Sequence, residues 1–477
     1  MKKNYFLALV FFFTFIASSF AEQAINTELL SEKISTLLAN FGENINIGIL
    51  VKDAKTGKLL FKKESDRYFM PASSQKLFTA FAALQALGSD FRYQTQLYFD
   101  YKKIKNKTLN DNLYIQFSGD PTLTLVQMNS LIKSLSEAGI QELTGKVIID
   151  DTAFDAMSMS PGTAWEDQNY CWGSPLSSLI INHNCVNATI KPGALAGQPA
   201  QLELPDYPQS MDFVTNVLTK DETEKNCQIK AKRTDEFTYT LTGCIKAGSK
   251  PQLIEMAINN PYSNTVSLLK YLLKKNQIKL SEGFEFKKFQ SPTKPFARHD
   301  SPPLKEMVST MLKDSDNTIA NALFKTIGAR YSHEVGSFNN GHDAILEVLS
   351  QFLPIQFPRT TLIDGAGASR YNFLTPEQIV TLLQKIYQSP GAAEFISSLA
   401  LGGVDGTLKY RLKDPATLGK VFAKTGSETA ISTLSGFIET KNKDILIFSI
   451  MINGFTEPVA KYKSLEDKIA KVLVEAK

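Results

Sequence analysis

Pro71-Ala72-Ser73-Ser74-Gln75-Lys76-Leu77-Phe78-Thr79-Ala80-Phe81 is the stretch on which the reading of this chain turns. Leu77, Phe81, Leu84 and Leu87 recur at intervals of three and four, which predicts an amphipathic helix with Ser73 at its N-terminus. Lys76 then lies one turn along the same face, and the free N–H groups and dipole of the helix favour negative charge near Ser73. The hydroxyl is a candidate nucleophile and the amine its candidate base.

Two further polar fragments follow in order, Ser315-Asp316-Asn317 and Lys424-Thr425-Gly426. Each fragment is weak alone, because the chain carries lookalikes. Ser130-Leu131-Ile132-Lys133, Ser267-Leu268-Leu269-Lys270 and Ser291-Pro292-Thr293-Lys294 repeat the serine–lysine spacing; Ser337-Phe338-Asn339 and Lys55-Thr56-Gly57 repeat the other two. Position separates them. Ser130 and Ser267 sit inside helical-looking runs and Ser291 among prolines. Lys55-Thr56-Gly57 falls in the turn of a predicted hairpin, between alternating Ile45, Ile47, Ile49 and Val51 and the run Leu59-Leu60-Phe61.

The N-terminus reads as a cleaved secretory signal: Lys2 and Lys3, an apolar run from Tyr5 to Ile16, then Ser19-Phe20-Ala21, so the mature chain is expected to begin at Glu22. An uncleaved anchor is the rival, but the run is shorter than the roughly 20 residues a span needs. Export to an oxidising compartment lets the four cysteines pair. Three connectivities are open; the simplest joins Cys171 to Cys185 and Cys227 to Cys244, the second closing a hairpin around Thr238 to Thr242. Zinc is the competing use, yet no C-x-x-C pair exists, His183 reads as a structural or surface residue, and neither metal nor cofactor is implied. The net charge of +4, or +2 without Lys2 and Lys3, is interspersed and argues against a nucleic-acid partner.

At roughly 100 to 200 residues per domain, 477 residues make two or three domains. From Phe91 to Phe296 the texture is one of short strands, such as Leu113 to Phe117 and Lys146 to Asp150, and is read as a β-rich insertion holding every cysteine. Ser301-Pro302-Pro303 then introduces a helix from Leu304 to Leu312, and Ile319, Leu323 and Ile327 continue on helical spacing. Ser315-Asp316-Asn317 is therefore placed between two helices. Leu418 to Ala423, Ser432 to Ile438 and Asp444 to Ile452 read as an antiparallel meander whose first strand carries Lys424-Thr425-Gly426, with Gly426 permitting close approach of a bound peptide. Leu465, Ile469, Val472 and Leu473 predict a terminal helix packed on that sheet. A weak membrane-surface association is the alternative use of that helix, although Lys, Glu and Ala fill its other faces.

The four histidines accompany no G-x-S-x-G elbow, so a lysine is the available base for serine. Burial and the charge of Lys424 would lower the pKa of Lys76 and leave it neutral. Ser73 would attack a carbonyl to give an acyl-enzyme. Ser315 would relay a proton to the leaving amine, Asn317 would hold Lys76 or the substrate amide, and Lys424 with the Thr425 and Ser427 hydroxyls would bind a terminal carboxylate. The competing uses are a helix cap for Ser315-Asp316-Asn317 and an exposed strand lysine for Lys424.

These residues, with Ser118-Gly119-Asp120-Pro121-Thr122-Leu123, Asp364-Gly365-Ala366-Gly367-Ala368-Ser369-Arg370 and Asp405-Gly406-Thr407-Leu408 with Arg411, resemble the class C low-molecular-mass penicillin-binding proteins, the D-alanyl-D-alanine carboxypeptidase/endopeptidase group. The resemblance implies an α+β fold: a transpeptidase-like domain, shared with serine β-lactamases, built on a five-stranded antiparallel sheet with helices and split by a two-domain β-rich insertion. Expected boundaries are 1–21 for the signal, 22–92 with 297–477 for the catalytic domain, 93–155 with 246–296 for the second domain and 156–245 for the third. It further implies peptidoglycan peptides as substrates, β-lactams as covalent inhibitors, a periplasmic location, and an oxyanion hole from the N–H groups of Ser73 and Ser427. Asp150 matches an aspartate that contacts the amino end of the peptide, with a strand-end turn as its competing role. Ala366 stands where the family usually has serine, and a packing effect is expected there. A β-lactamase and an inactive wall-binding scaffold are the alternatives.

Overall fold

The computed structural model describes residues 25–42, 44–235, 237–290, 294–353 and 360–477, and the expected signal segment lies outside them. The hairpin strands β1 (Asn46–Asp53) and β2 (Leu59–Lys63) join three consecutive strands from the far end of the chain, β3 (Val421–Glu428), β4 (Ile431–Glu439) and β5 (Ile445–Asn453). The sheet order is β3-β4-β5-β1-β2, with the two-residue strand Ala400–Leu401 added beyond β3. The expected five strands thus gain a short sixth at the edge. β1 pairs antiparallel with β5 over its full length, Ile49 opposite Ile450.

Helices cover both faces of this sheet. Helix α1 (Thr27–Leu38) and the C-terminal helix pack together on one side, where Leu30, Ile34, Tyr462, Leu465 and Ile469 meet Ile49, Leu434 and Ile450. On the other side α2 (Lys76–Leu87) lies among α3 (Leu304–Lys313), α4 (Asn317–Ser332) and the helix Phe338–Phe352. Because both faces are covered, β4 is buried at every position except Glu439. That is why its sequence does not alternate in polarity; a strand sandwiched between two layers has no solvent side to mark. The C-terminal helix α5 (Val459–Val474) commits Tyr462, Leu465, Ile469 and Leu473 to the core. Its apolar side is therefore not free for a bilayer, and among the described residues no helix is long and apolar enough to cross one.

The inserted region is richer in helix than its strand-like texture implied. A five-stranded mixed sheet runs Phe284–Phe286, Val147–Asp150, Leu113–Gln116, Gln94–Tyr98, Ala297–Asp300, and the helices Leu125–Glu137 and Pro261–Lys275 bury Leu131, Ile132, Leu268 and Leu272 in the same core. Two three-stranded sheets follow. In one, Cys185–Lys191 lies between Gln201–Glu203 and Gln252–Ala257, so a strand from beyond residue 245 completes it. In the other, Thr238–Lys246 pairs parallel with Asp212–Lys220 and antiparallel with Ile229–Arg233.

Both local disulfides form, Cys171–Cys185 and Cys227–Cys244, and no cysteine is left free for zinc. Thr238 to Thr242 is strand rather than turn; the hairpin reverses just before it, where Asp235 accepts from the Phe237 N–H. Its β-branched alternation fits a pleated strand, and the Asp carboxylate supplies the local turn bond.

Candidate active site

Ser73 belongs to a single 3₁₀ turn, Ala72–Gln75, which runs directly into α2 at Lys76. Ala72 enters it with φ of 44°, a left-handed conformation that costs a residue bearing a Cβ roughly 1–2 kcal/mol. The turn is held from the sheet side: Thr433 donates to the Pro71 carbonyl at 3.1 Å and shares a 2.8 Å hydrogen bond with the Ser74 hydroxyl. Lys76 is fully buried and reaches three oxygens, Ser73 Oγ at 2.8 Å, Asn317 Oδ1 at 2.6 Å and the Ala366 carbonyl at 2.8 Å.

Ser315 occupies the link between α3 and α4, also left-handed at φ of 65°. Asp316 caps α4, its carboxylate accepting from the Ile319 N–H at 2.8 Å. The cap and the site are thus the same triplet: Asp316 supports the helix, which leaves Ser315 and Asn317 aimed at the two lysines. Lys424, on β3 and fully buried, donates to Ser315 Oγ at 2.9 Å and to the Thr425 carbonyl at 2.8 Å. Gly426 passes so close to the Ser73 turn that an added Cβ would lie 2.2 Å from Thr433 Oγ1 and 3.0 Å from the Ser73 nitrogen. Ser427, exposed beside it, and Thr425, bonded to Thr407 at 2.8 Å, complete the strand's polar edge.

Electrostatics differ from the expected division of labour. Burial lowers Lys76 to about 8, while the carboxylates of Asp364, Asp316 and Glu428 pull it back up. Lys424 falls well below its ordinary value, first through burial and then through the Lys76 charge. Dehydration, not the neighbouring ammonium, is therefore the main cause for Lys76, and the like-charge penalty is expressed on Lys424. Glu428, at the end of β3, is raised to about 7 by burial, against the pull of Arg370.

Several contributors were not singled out by spacing. The Ala366 carbonyl holds Lys76, in a loop fixed by Asp364, whose carboxylate accepts from the N–H groups of Gly367 at 2.7 Å and Ser369 at 2.8 Å. Ala366 is buried and works through its backbone, its N–H donating to Asn321 at 3.1 Å, so no hydroxyl is required at that position to reach Lys76. The Trp172 carbonyl, from the insertion, accepts from Asn317 Nδ2 at 2.8 Å. The run of glycines around Ala366 is the signal that marked that loop; nothing in spacing marked Trp172 or Thr433. Asp150 stands apart. Its carboxylate accepts from the N–H and hydroxyl of Thr152 at 3.0 and 2.7 Å, a strand-end turn, and it makes none of the contacts above. The lookalike Lys55-Thr56-Gly57 is an exposed hairpin turn in which Asp53 accepts from the Thr56 N–H at 2.7 Å.

D-alanyl-D-alanine carboxypeptidase DacB of Haemophilus influenzae is 30% identical over 433 residues, covering 89% of this chain and 88% of the relative. The D-alanyl-D-alanine carboxypeptidase of Actinomadura sp. is 28% identical over 442 residues, covering 90% and 81%. The crystal structure of penicillin binding protein 4 (dacB) from Haemophilus influenzae superposes with a TM-score of 0.83 at 28% identity, covering 93% of this chain and 99% of that one; a second structure of it holds a β-lactam. A family description matches residues 30–475, a span that holds the Ser73 turn, the Ser315 link and β3: the chain belongs to the D-Ala-D-Ala carboxypeptidase 3 (S13) family.

Proposed function

We propose that this chain is an exported serine DD-peptidase that hydrolyses the D-Ala-D-Ala bond of peptidoglycan peptides, their D-Ala cross-links, or both, through an acyl-enzyme. One observation carries the reading: Lys76 Nζ lies 2.8 Å from Ser73 Oγ while Lys424 Nζ lies 2.9 Å from Ser315 Oγ, two serine–lysine pairs brought together at one helix link, where Asn317 also holds Lys76. Neutral Lys76 takes the proton of Ser73 as Oγ attacks the carbonyl carbon. The N–H groups of Ser73 and Ser427 stabilise the oxyanion, a contribution of about 10²–10³ in rate per donor. Ser315 relays the proton taken by Lys76 to the departing amine of the terminal D-alanine, which returns Lys76 to its neutral form, while Lys424 and the hydroxyls of Thr425 and Ser427 hold that residue's carboxylate. Water then attacks the ester, with Lys76 again accepting the proton. Asn317 orients Lys76 through its oxygen. Asp150 is proposed only as a distant contact to the peptide's amino end. The catalytic unit is proposed as 22–92 with 301–477, because the strand Ala297–Asp300, expected in it, pairs with Gln94–Tyr98 in the inserted region's sheet, and the insertion is its wall.

A fluorescent penicillin should label the purified protein at Ser73, one label per chain, and Ser73→Ala should abolish it. Persistent labelling of that variant sinks the nucleophile assignment. Rapid release of hydrolysed penicillin would instead make the protein a β-lactamase. Incubation with a D-Ala-D-Ala pentapeptide and with cross-linked muropeptides should release D-alanine from the first or separate the second, and cleavage of neither sinks the peptidase reading.

A further inference from the structure

A groove of about 560 Å³ opens directly off the catalytic link, lined on one side by Ser315, Asp316 and Asn317 and on the other by the inserted region. Its inserted wall carries Tyr170 and Trp172, whose rings lie parallel, 4° apart at 6.0 Å between centroids. Both are over a third exposed, at 36% and 43%, although soluble proteins bury most large aromatics. Around them stand Asn182, His183, Gln252 and Glu255, so amides and a carboxylate border a flat apolar platform.

The platform is built rather than incidental. The disulfide Cys171–Cys185 ties the Tyr170–Trp172 segment to the strand Cys185–Lys191, and that strand pairs with Gln252–Ala257, which carries Gln252 and Glu255. The Trp172 carbonyl accepts from Asn317 Nδ2, and Asn317 Oδ1 accepts from Lys76, so a single amide links the platform to the base.

Flat aromatic faces bordered by amide and carboxylate groups suit a pyranose, which offers an axial C–H face to the ring and hydroxyl and acetamido groups to its border. We propose that this groove binds the amino-sugar end of the substrate, so that the enzyme prefers peptides still attached to their glycan. The inference rests on the peptidase reading above and names which form of that substrate the site takes. A second peptide strand would instead look for the unpaired backbone of an extended edge; the edge strand Gln252–Ala257 borders the groove, but Tyr170 already bridges it at Met256 and the exposed rings, not free backbone, form the platform.

The test uses three probes: a free D-Ala-D-Ala pentapeptide, the same pentapeptide on an N-acetylglucosaminyl-N-acetylmuramyl disaccharide, and a sugar-free cross-linked peptide dimer. The full-length mature protein should cleave the disaccharide-linked peptide with kcat/KM about tenfold above the free one, the change that about 1.4 kcal/mol makes. Trp172→Ala and Tyr170→Ala should bring that ratio close to one, with penicillin labelling showing that the variants are folded. Gln252→Ala, on the opposite border, keeps the test open if the aromatic variants fail to label. A wild-type ratio near one, or a ratio unchanged in the folded variants, overturns the proposal. So does a gain confined to the sugar-free dimer, which would make the groove a peptide site. Failure to cleave any probe or bind penicillin overturns the peptidase reading together with this one, whereas a flat ratio overturns this one alone.

Discussion

Lys55-Thr56-Gly57 and Lys424-Thr425-Gly426 are the same three residues in two places, and they share nothing else. The first is exposed in a two-strand hairpin turn, where Asp53 accepts from Thr56 and Gly57 takes φ of 71° to reverse the chain. The second is extended in β3 between two covered faces, with Lys424 completely buried and Gly426 pressed against the turn that carries Ser73. In the turn, glycine supplies a backbone conformation; in the strand, it supplies room. The lysine differs likewise, an exposed side chain in one and a dehydrated amine near a second lysine in the other.

The sharpest break in this comparison comes from the lysines. Lys424→Ala should lower the acylation rate by penicillin about 10²–10³-fold, as loss of a charge-stabilising donor in a dry site does; Lys55→Ala should stay within about twofold. Equal effects would show that the buried copy is not the clamp. The glycines should separate next. Gly426→Ala drives a Cβ to 2.2 Å from Thr433 Oγ1 and 3.0 Å from the Ser73 nitrogen, so acylation should fall at least about tenfold. Gly57→Ala meets no atom within 4 Å and should leave acylation untouched, while its left-handed φ costs stability by about 1 kcal/mol, read as a lower urea midpoint.

A smaller effect is expected from pH. Lys76 is lowered to about 8 and, as the proposed base, would act only once it has lost its proton, so acylation should rise as pH climbs through about 8 and level off above it. A profile that falls over that range would assign the base elsewhere. The smallest effect is expected at Asp53, where Asp53→Ala removes the turn's bonds to Thr56 and should cost about 0.5–1.5 kcal/mol with no change in rate.

The comparison also explains how far the sequence could be read. The hairpin, the meander and the helix after Ser73 were legible because each rests on a local period or a turn residue, although the α-helix begins at Lys76 and Ser73 lies in the 3₁₀ turn before it. Choosing between the copies of each motif needed only their neighbours along the chain. Partners brought in by the fold were not legible. Thr433 and the Ala366 carbonyl meet the nucleophile's turn from hundreds of residues away, and a carbonyl has no sequence signature. Strand periodicity likewise predicted that the inserted region contains strands, but not that Asp212–Lys220 pairs parallel with Thr238–Lys246 while Ile229–Arg233 lies on the other side. A period of two identifies a strand and says nothing of its neighbour. The pKa of Lys424 was out of reach for the same reason, because dehydration depends on what packs around a side chain.

The pairing of β1 with β5 has a consequence for how the protein is made. Asn46 sits opposite Asn453, so the middle of this sheet is closed by strands from near the two ends of the described residues. Contacts of such long sequence separation form late, since the intervening loop must be ordered first. Ser73 and Lys76 emerge early in synthesis, yet Lys424, Gly426 and Thr433 reach them only with the last strands. A chain made only as far as α4 therefore holds Ser73 and Lys76 without Lys424, and the two serine–lysine pairs come together only once β3 and β4 have been made.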